Sequence, residues 1–195
     1  MEILHSEKDI AVCVKTVGLD SEHDVPAALK EALGGEFFPV HRLDKNVGGV
    51  MVFARNAKTA ASLSRAIQEG SMVKEYVAMV HGTPPQQGDW TDLLFKDSAK
   101  NKVFVVKKER RGVKKARLEF TRLWEGETSL VHIRLHTGRS HQIRVQFASR
   151  GFPLVGDGKY GASDKVKAPM LFSCKLTFPL GGKVHEYTAM PDWAK

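Results

Sequence analysis

A carboxylate between basic neighbours, followed by a glycine pair and an apolar run, is the feature best suited to chemistry. Asp44 lies two residues after Arg42, and Gly48-Gly49 separates it from the apolar residues 50–54. An apolar run bounded by glycine predicts a buried strand, so Asp44 would lie in the loop that enters it. A carboxylate in that place could act as a nucleophile or as an electrostatic stabiliser. The alternative is an ordinary turn aspartate, which is common.

Two further segments carry residue types that could act with Asp44. The run Val73–Val80 alternates well enough to be a strand and contains Tyr76. A loop carrying Arg139 precedes a predicted helix, and the glycine beside Arg139 would let its guanidinium project into a concave place. An arginine facing an aspartate keeps the carboxylate ionised and in one orientation. A strand tyrosine is nevertheless more often part of the core than of an active site.

The sequence lacks the patterns of common metal and cofactor sites. Only His132 and His136 are spaced i, i+4, and they fall in a predicted strand without an HExxH pattern. There is no GxSxG nucleophile elbow, GxxxxGK phosphate loop or zinc-deaminase pattern. We therefore expect chemistry by side chains alone, with no metal and no cofactor.

The composition predicts one globular domain over residues 1–195, since 42% of them are hydrophobic and 27% charged. Cys13 and Cys174 lie in apolar contexts and form no CxxC pair, which is typical of reduced thiols in a cytoplasmic protein. No apolar run is long enough to cross a bilayer, and the first residues do not form a signal peptide. We expect a cytoplasmic monomer that does not bind membranes.

The positive charge is concentrated in one segment. Residues 100–122 contain ten basic and two acidic side chains, so this segment accounts for the whole net charge of +8. The strand-like runs 103–106 and 116–123 predict a hairpin with a cationic tip. That tip carries Lys107, Lys108, Arg110 and Arg111. Such a local excess suits a phosphate-bearing partner, and the alternative is a solvated hairpin with no partner.

The remaining patterns predict an α+β fold. A helix should begin at Asp24 and stop at Gly34-Gly35, and Asn56 is a suitable N-cap for a helix over residues 57–69. Ser140 is predicted to cap a helix that reaches about Arg150. Eight or so strands interleave unevenly with three or four helices, without a βαβ repeat. This order predicts a mixed, largely antiparallel central sheet flanked by a few helices.

Four ordered motifs make the sequence resemble the RluA family of RNA pseudouridine synthases. They are His41-Arg42-Leu43-Asp44 with its glycine pair and apolar strand, Lys74-Glu75-Tyr76-Val77-Ala78, the segment LHTGRSHQIR from Leu135 to Arg144, and the segment PLVGDGKYG from Pro153 to Gly161. Lys175-Leu176-Thr177-Phe178-Pro179 is similar to the closing strand of the family. The resemblance extends from about Asp9 to Pro191.

The resemblance implies a role for each matching residue. Asp44 would be the catalytic aspartate that attacks the target uridine or its ribose, so that the freed base turns and its C5 rejoins C1′. Tyr76 would stack on the base and remove a proton, and Arg139 would pair with Asp44. The implied activity is isomerisation of specific uridines in ribosomal or transfer RNA to pseudouridine.

Other residues are implied to bind the RNA. Leu176 would pack beneath the base, with Lys175 near the site. Arg42 would fill the gap left by the flipped nucleotide, because its planar guanidinium can stack there while its charge meets phosphate. The chain begins directly at the catalytic domain, without the S4-like domain that many members carry, so the cationic tip is our candidate for contacting the RNA backbone.

Two positions depart from the family, and two other functions stay open. Val47-Gly48 stands where Thr-Ser is usual, and Lys15-Thr16 stands where Lys-Pro is usual. The chain could be an RNA-binding protein on the same fold that has lost catalysis, or a hydrolase or deaminase that uses Asp44. The joint presence of Asp44, Tyr76 and Arg139 favours the isomerase, since a pure binding protein needs no such set.

Overall fold

A computed structural model describes residues 1–166 and 168–195, which divide into two compact units. The first unit comprises residues 1–75 and 172–195, and the second comprises residues 76–171. The described residues form eleven strands and three α-helices. Among the described residues, seven strand pairs of known register are antiparallel and one is parallel. The predicted α+β class with a mixed, largely antiparallel sheet is confirmed.

The first unit is organised around a strand that is buried along its whole length, as the apolar run after Asp44 predicts. Its strands are β1 (Glu2–Ser6), β2 (Ile10–Lys15), β3 (Phe38–Pro39), β4 (Gly48–Ala54), β10 (Leu171–Leu180) and β11 (Lys183–Thr188). The neighbours run in the order β1, β2, β4, β10, with β11 paired to β10 and β3 paired to the end of β4. The parallel pair is β4 with β10. Its core includes Val50, Val52 and Phe178.

Two helices pack in this unit at the predicted places. α1 (Asp24–Leu33) ends at Gly34, whose positive φ of 66° suits a glycine. α2 (Ala57–Gln68) begins after Asn56, whose side-chain oxygen accepts a hydrogen bond from the N–H of Thr59 at 2.9 Å. The caps that the sequence suggests therefore do set these two helix ends.

The strand order of the second unit differs from the predicted hairpin. Its strands are β5 (Val73–His81, from Tyr76 onward), β6 (Gln87–Asp97), β7 (Lys102–Val106), β8 (Val113–Glu125) and β9 (Thr128–Leu135), in the spatial order β5, β9, β8, β6, β7. The prediction that β7 pairs with β8 is wrong, because β6 lies between them and is antiparallel to both. At eleven residues, β6 is long enough to pair along both edges. Residues 107–112, four of which are basic, therefore connect β7 on one edge of β6 to β8 on the other edge.

The helix predicted to start at Ser140 is shorter and capped differently. α3 (Gln142–Ala148) follows His141, which has a positive φ of 49°, and no side chain caps it. The predicted Ser140 cap is therefore wrong. The turn is closed instead by the side chain of Gln142, whose oxygen accepts hydrogen bonds from the N–H of Arg139 at 3.0 Å and the Thr137 hydroxyl at 2.8 Å. The side chain of Gln142, the first residue of α3, thus accepts the hydrogen bonds of both donors.

Replacing Gly49 by alanine should destabilise the first unit strongly. A Cβ at Gly49 would lie 2.4 Å from the backbone nitrogen of Ser173, where β4 and β10 pair, and φ there is +129°. We expect a loss of at least about 2 kcal/mol in the free energy of unfolding, measured by urea denaturation.

The matched control is Gly18→Ala. Gly18 also has a positive φ, +97°, but a Cβ there would meet nothing within 4 Å, so only the backbone cost of about 1 kcal/mol should appear. Equal losses of unfolding free energy in Gly49→Ala and Gly18→Ala would contradict the explanation that β10 lies too close to position 49 for a Cβ.

Candidate active site

The loop between β3 and β4 holds Asp44 in a partly buried position. The carbonyl of Asp44 accepts a hydrogen bond from the N–H of Val47 at 2.9 Å, which closes a turn ahead of β4. The neighbouring Leu43 is buried, and the Ser21 hydroxyl donates to its carbonyl at 2.8 Å and accepts from its N–H at 3.1 Å. The backbone on both sides of Asp44 is therefore fixed, as a reactive side chain requires.

A fully buried lysine supports the same loop. The Lys15 ammonium donates hydrogen bonds to the carbonyls of Thr16 (3.1 Å), Leu19 (2.9 Å) and Lys45 (3.2 Å). Burial lowers the pKa of Lys15 to about 8, while the nearby carboxylates of Asp20, Asp44 and Asp24 act in the opposite direction. Lys15 therefore joins the end of β2 to the residue after Asp44 and places positive charge near that carboxylate.

His41 anchors the loop to β4 and does so as a neutral group. Its Nε2 accepts a hydrogen bond from the N–H of Val52 at 3.2 Å. Burial, followed by the charge of Lys74, lowers the pKa of His41 to about 3. The imidazole is thus uncharged near neutral pH, and its role in this loop is structural.

Arg42 points to the surface. Its Nη1 lies 3.0 Å from the Glu22 carboxylate, and both side chains are about half exposed or more. An exposed pair of this kind is weak and can be exchanged for another anion. The contact of Arg42 with RNA stays a prediction.

The two residues predicted from the closing strand differ in exposure. Leu176 is fully buried in the core cluster of the first unit. Lys175 is partly exposed and paired with Glu186 across β10 and β11, at 2.9 Å, and this hydrogen bond raises the pKa of Lys175. Their contact with a base stays a prediction.

The second unit contains Tyr76 and Arg139. Tyr76 is buried in β5, with a relative exposure of 6%. Arg139 is exposed, and its Nε donates to the carbonyl of Lys115 at 3.0 Å, which ties the guanidinium to the edge of β8. The turn around Arg139 is held by Gln142, which also donates to the carbonyl of Arg117 at 3.0 Å. The catalytic roles of Tyr76 and Arg139 stay predictions.

A buried ion pair joins two of the sequence motifs and was missed by the sequence analysis. The guanidinium of Arg144 donates through Nε and Nη2 to the two oxygens of Asp157, at 2.7 and 2.8 Å. The side chains are only 8% and 1% exposed. Asp157 thus fixes one edge of the guanidinium, and Arg144 also lies 5.2 Å from the Tyr160 ring.

The positions of Lys15 and Arg144 in the sequence could have indicated that both side chains are buried and paired. Lys15 is a charged residue at the end of an otherwise apolar strand, and Arg144 lies among apolar residues of the helix. Charged residues are almost never fully buried unless they are paired, so these two positions indicate specific partners.

The cationic connection between β7 and β8 is exposed. Lys107, Lys108, Arg110 and Arg111 all face solvent. The Arg110 guanidinium lies 4.6 Å from the ring of Phe95 on β6, so the connection lies against that strand.

Among the described residues, no group of three or more His, Cys, Asp or Glu side chains is arranged to hold a metal ion. None of the described helices is long and apolar enough to span a membrane.

Sequence comparison decides the family. A family model described as RNA pseudouridylate synthase matches residues 9–149. The chain belongs to this family. An RNA pseudouridine synthase of Aquifex aeolicus, itself uncharacterized, is 35% identical over 177 residues, which cover 83% of this chain and 56% of the relative. Ribosomal large subunit pseudouridine synthase D of Borreliella burgdorferi is 37% identical over 147 residues, covering 73% of this chain and 44% of the relative. The chain thus spans about half the length of these relatives.

Solved structures show the same fold. Human RNA pseudouridylate synthase domain containing 1 gives a TM-score of 0.85 at 23% identity, covering 97% of this chain and 83% of the human chain. Human RNA pseudouridylate synthase domain containing 4 gives 0.82 at 22% identity, covering 98% and 89%. The pseudouridine synthase fold is therefore confirmed, and the family model and the ribosomal large subunit relatives confirm the RluA resemblance.

Removing the acidic partner of Arg144 should destabilise the second unit. In Asp157→Ala an arginine would be left buried without its carboxylate, which costs about 3–5 kcal/mol of unfolding free energy. Urea denaturation would measure this loss.

Asp89→Ala is a matched control, because Arg117 binds Asp89 with the same two-bond geometry, at 3.0 and 2.8 Å, on the surface. It should leave the urea midpoint almost unchanged. Similar urea midpoints for Asp157→Ala and Asp89→Ala would show that the buried ion pair contributes no more to stability than the exposed one.

Proposed function

We propose that this chain is the catalytic part of an RNA pseudouridine synthase that uses Asp44 as its nucleophile. The observation that carries the proposal is the loop of Asp44: a partly buried carboxylate on a backbone fixed by Lys15, Ser21 and His41. Membership of the RNA pseudouridylate synthase family supports it. Relatives named for the ribosomal large subunit make specific uridines of ribosomal RNA the first substrate to test, and transfer RNA the second.

The proposed reaction needs no second reactant. The Asp44 carboxylate attacks the uracil or the ribose, and the bond between N1 and C1′ breaks. The base turns, a new bond forms between C5 and C1′, and the bond to Asp44 breaks, which restores the carboxylate. Tyr76 removes the proton from C5. N1 carries a proton in the product, so the atoms of uridine are conserved. The target must first leave its stack, and Arg42 is proposed to fill the vacancy.

Arg139 is proposed as the counter-charge for Asp44, because the family resemblance implies this role for it.

The proposed setting is the cytoplasm, with the chain acting as a monomer. Burial raises the pKa of Cys13 to about 12 and that of Cys174 to about 11. Both thiols therefore stay protonated near neutral pH, which fits a protein that keeps its cysteines reduced.

Asp44→Asn should abolish the reaction without abolishing RNA binding. RNA from a strain that lacks the protein is incubated with each variant, and pseudouridine is mapped along ribosomal and transfer RNA. The wild type should create new sites, and Asp44→Asn should form them at least about 10³-fold more slowly. RNA affinity, measured by filter binding, should change little.

Asp192→Asn serves as the control. Asp192 is 96% exposed near the end of the chain, and its replacement removes one negative charge, as Asp44→Asn does. Activity retained in Asp44→Asn would sink the mechanism. If the wild type binds RNA but creates no pseudouridine, the chain is a binding protein on this fold. Release of free uracil would instead indicate a hydrolase.

Neutralising the cationic connection should weaken RNA binding in a salt-dependent way. With Lys107, Lys108, Arg110 and Arg111 all changed to glutamine, the slope of log K against log salt should fall by about three. The control changes four exposed basic residues of the first unit, Lys8, Lys58, Arg65 and Lys183. An equal slope for the two variants would mean that the connection is only a solvated surface.

A further inference from the structure

A cavity of about 170 Å³ in the second unit combines an apolar floor with a cationic rim. Leu94 and Val103, each 3% exposed, line its floor. Lys96, Lys114 and Arg139 also line the cavity. Arg139 is a candidate catalytic residue, so whatever occupies the cavity lies directly beside it.

The strand register directs both lysines into this cavity. Leu94 on β6 is paired with Lys114 on β8, and Lys96 is two residues along β6 on the same face. Lys96 and Lys114 are therefore diagonal neighbours, with a separation of about 7–8 Å between backbones. Two flexible ammonium groups at that separation can converge on one anion of phosphate size.

The charges at the cavity are not balanced, whereas three arginines elsewhere in the unit have carboxylate partners. Arg117 is paired with Asp89, Arg122 with Glu125, and Arg150 with Asp92. Lys96 and Lys114 form no ion pair with any residue that the structure describes, and the cavity lining contains no acidic residue within the described ranges. Like charges held close together are unfavourable unless an anion joins them.

The surroundings indicate that the anion belongs to a nucleic acid chain. Gly112, which also lines the cavity, immediately follows the cationic connection of residues 107–111. A polyanion that lies along this connection would also reach the cavity that Arg139 lines. A free metabolite would not need that continuous basic track.

We infer that Lys96 and Lys114 form a subsite for one backbone phosphate of the substrate RNA, close to the target uridine. The phosphate accepts hydrogen bonds from the two ammonium groups, and Leu94 and Val103 form the apolar floor beneath the adjoining sugar. This inference rests on the proposed function, because it assigns the subsite to the same RNA. The two lysines are binding residues and take no part in the chemistry.

The test is the double variant Lys96→Gln/Lys114→Gln. We expect KM for an RNA oligonucleotide carrying the mapped uridine to rise roughly tenfold with kcat unchanged, and the salt slope of binding to fall by one to two. The control is Lys58→Gln/Lys183→Gln, which removes two exposed charges from the first unit. Thermal unfolding confirms that both variants are folded.

A second measurement locates the phosphate. In oligonucleotides with one uncharged methylphosphonate at each position near the target, a single position should weaken binding to the wild type and have no effect on the double variant. If no position behaves this way, or if the double variant keeps the KM and salt slope of the control, the subsite does not exist. A fall in kcat at unchanged KM would also overturn it.

The binding measurements remain informative if the chain makes no pseudouridine. Salt slopes of the wild type and both variants can be measured with fragmented ribosomal RNA, which requires no turnover. A reduced slope in an inactive protein would support the subsite while rejecting the synthase, so the two failures are distinguishable.

Discussion

The buried ammonium of Lys15 is the interaction on which the first unit depends most. A charge taken out of water costs several kcal/mol unless hydrogen bonds replace its hydration, and Lys15 finds three carbonyl acceptors. One of them belongs to Lys45, directly after Asp44. Since the ammonium cannot move without leaving these acceptors, the loop of Asp44 is fixed relative to β2 by the same bonds that make the burial tolerable.

The second unit uses the same principle with different residues. Arg144 and Asp157 are both buried and satisfy each other through two parallel hydrogen bonds. Gln142 closes the turn that carries Arg139, in the absence of a capping side chain on α3. In both units, then, a polar group inside the protein holds a loop with candidate site residues, and the surrounding strands provide the rigid frame.

The basic side chains of the second unit differ in whether they have a carboxylate partner. In the second unit, arginines whose partners are carboxylates serve the fold or the surface, as Arg150 does with Asp92. Basic side chains without such partners include Lys96 and Lys114 at the cavity beside Arg139 and those on the connection after β7. Positive charge that no carboxylate of the same chain neutralises is available to bind a polyanion.

The sequence by itself determined the local features and the family. The apolar run after Asp44 became β4, Asn56 and Gly34 set helix ends, and the ordered motifs identified the pseudouridine synthase fold, because these signals lie within a few residues of one another. The tertiary structure alone decided that β6 separates β7 from β8, since strand pairing joins residues far apart and β6 can pair on either edge. It also decided the partners of Lys15 and Arg144. A charged residue in an apolar segment indicates that it needs a partner. Only the folded chain determines which distant group is that partner.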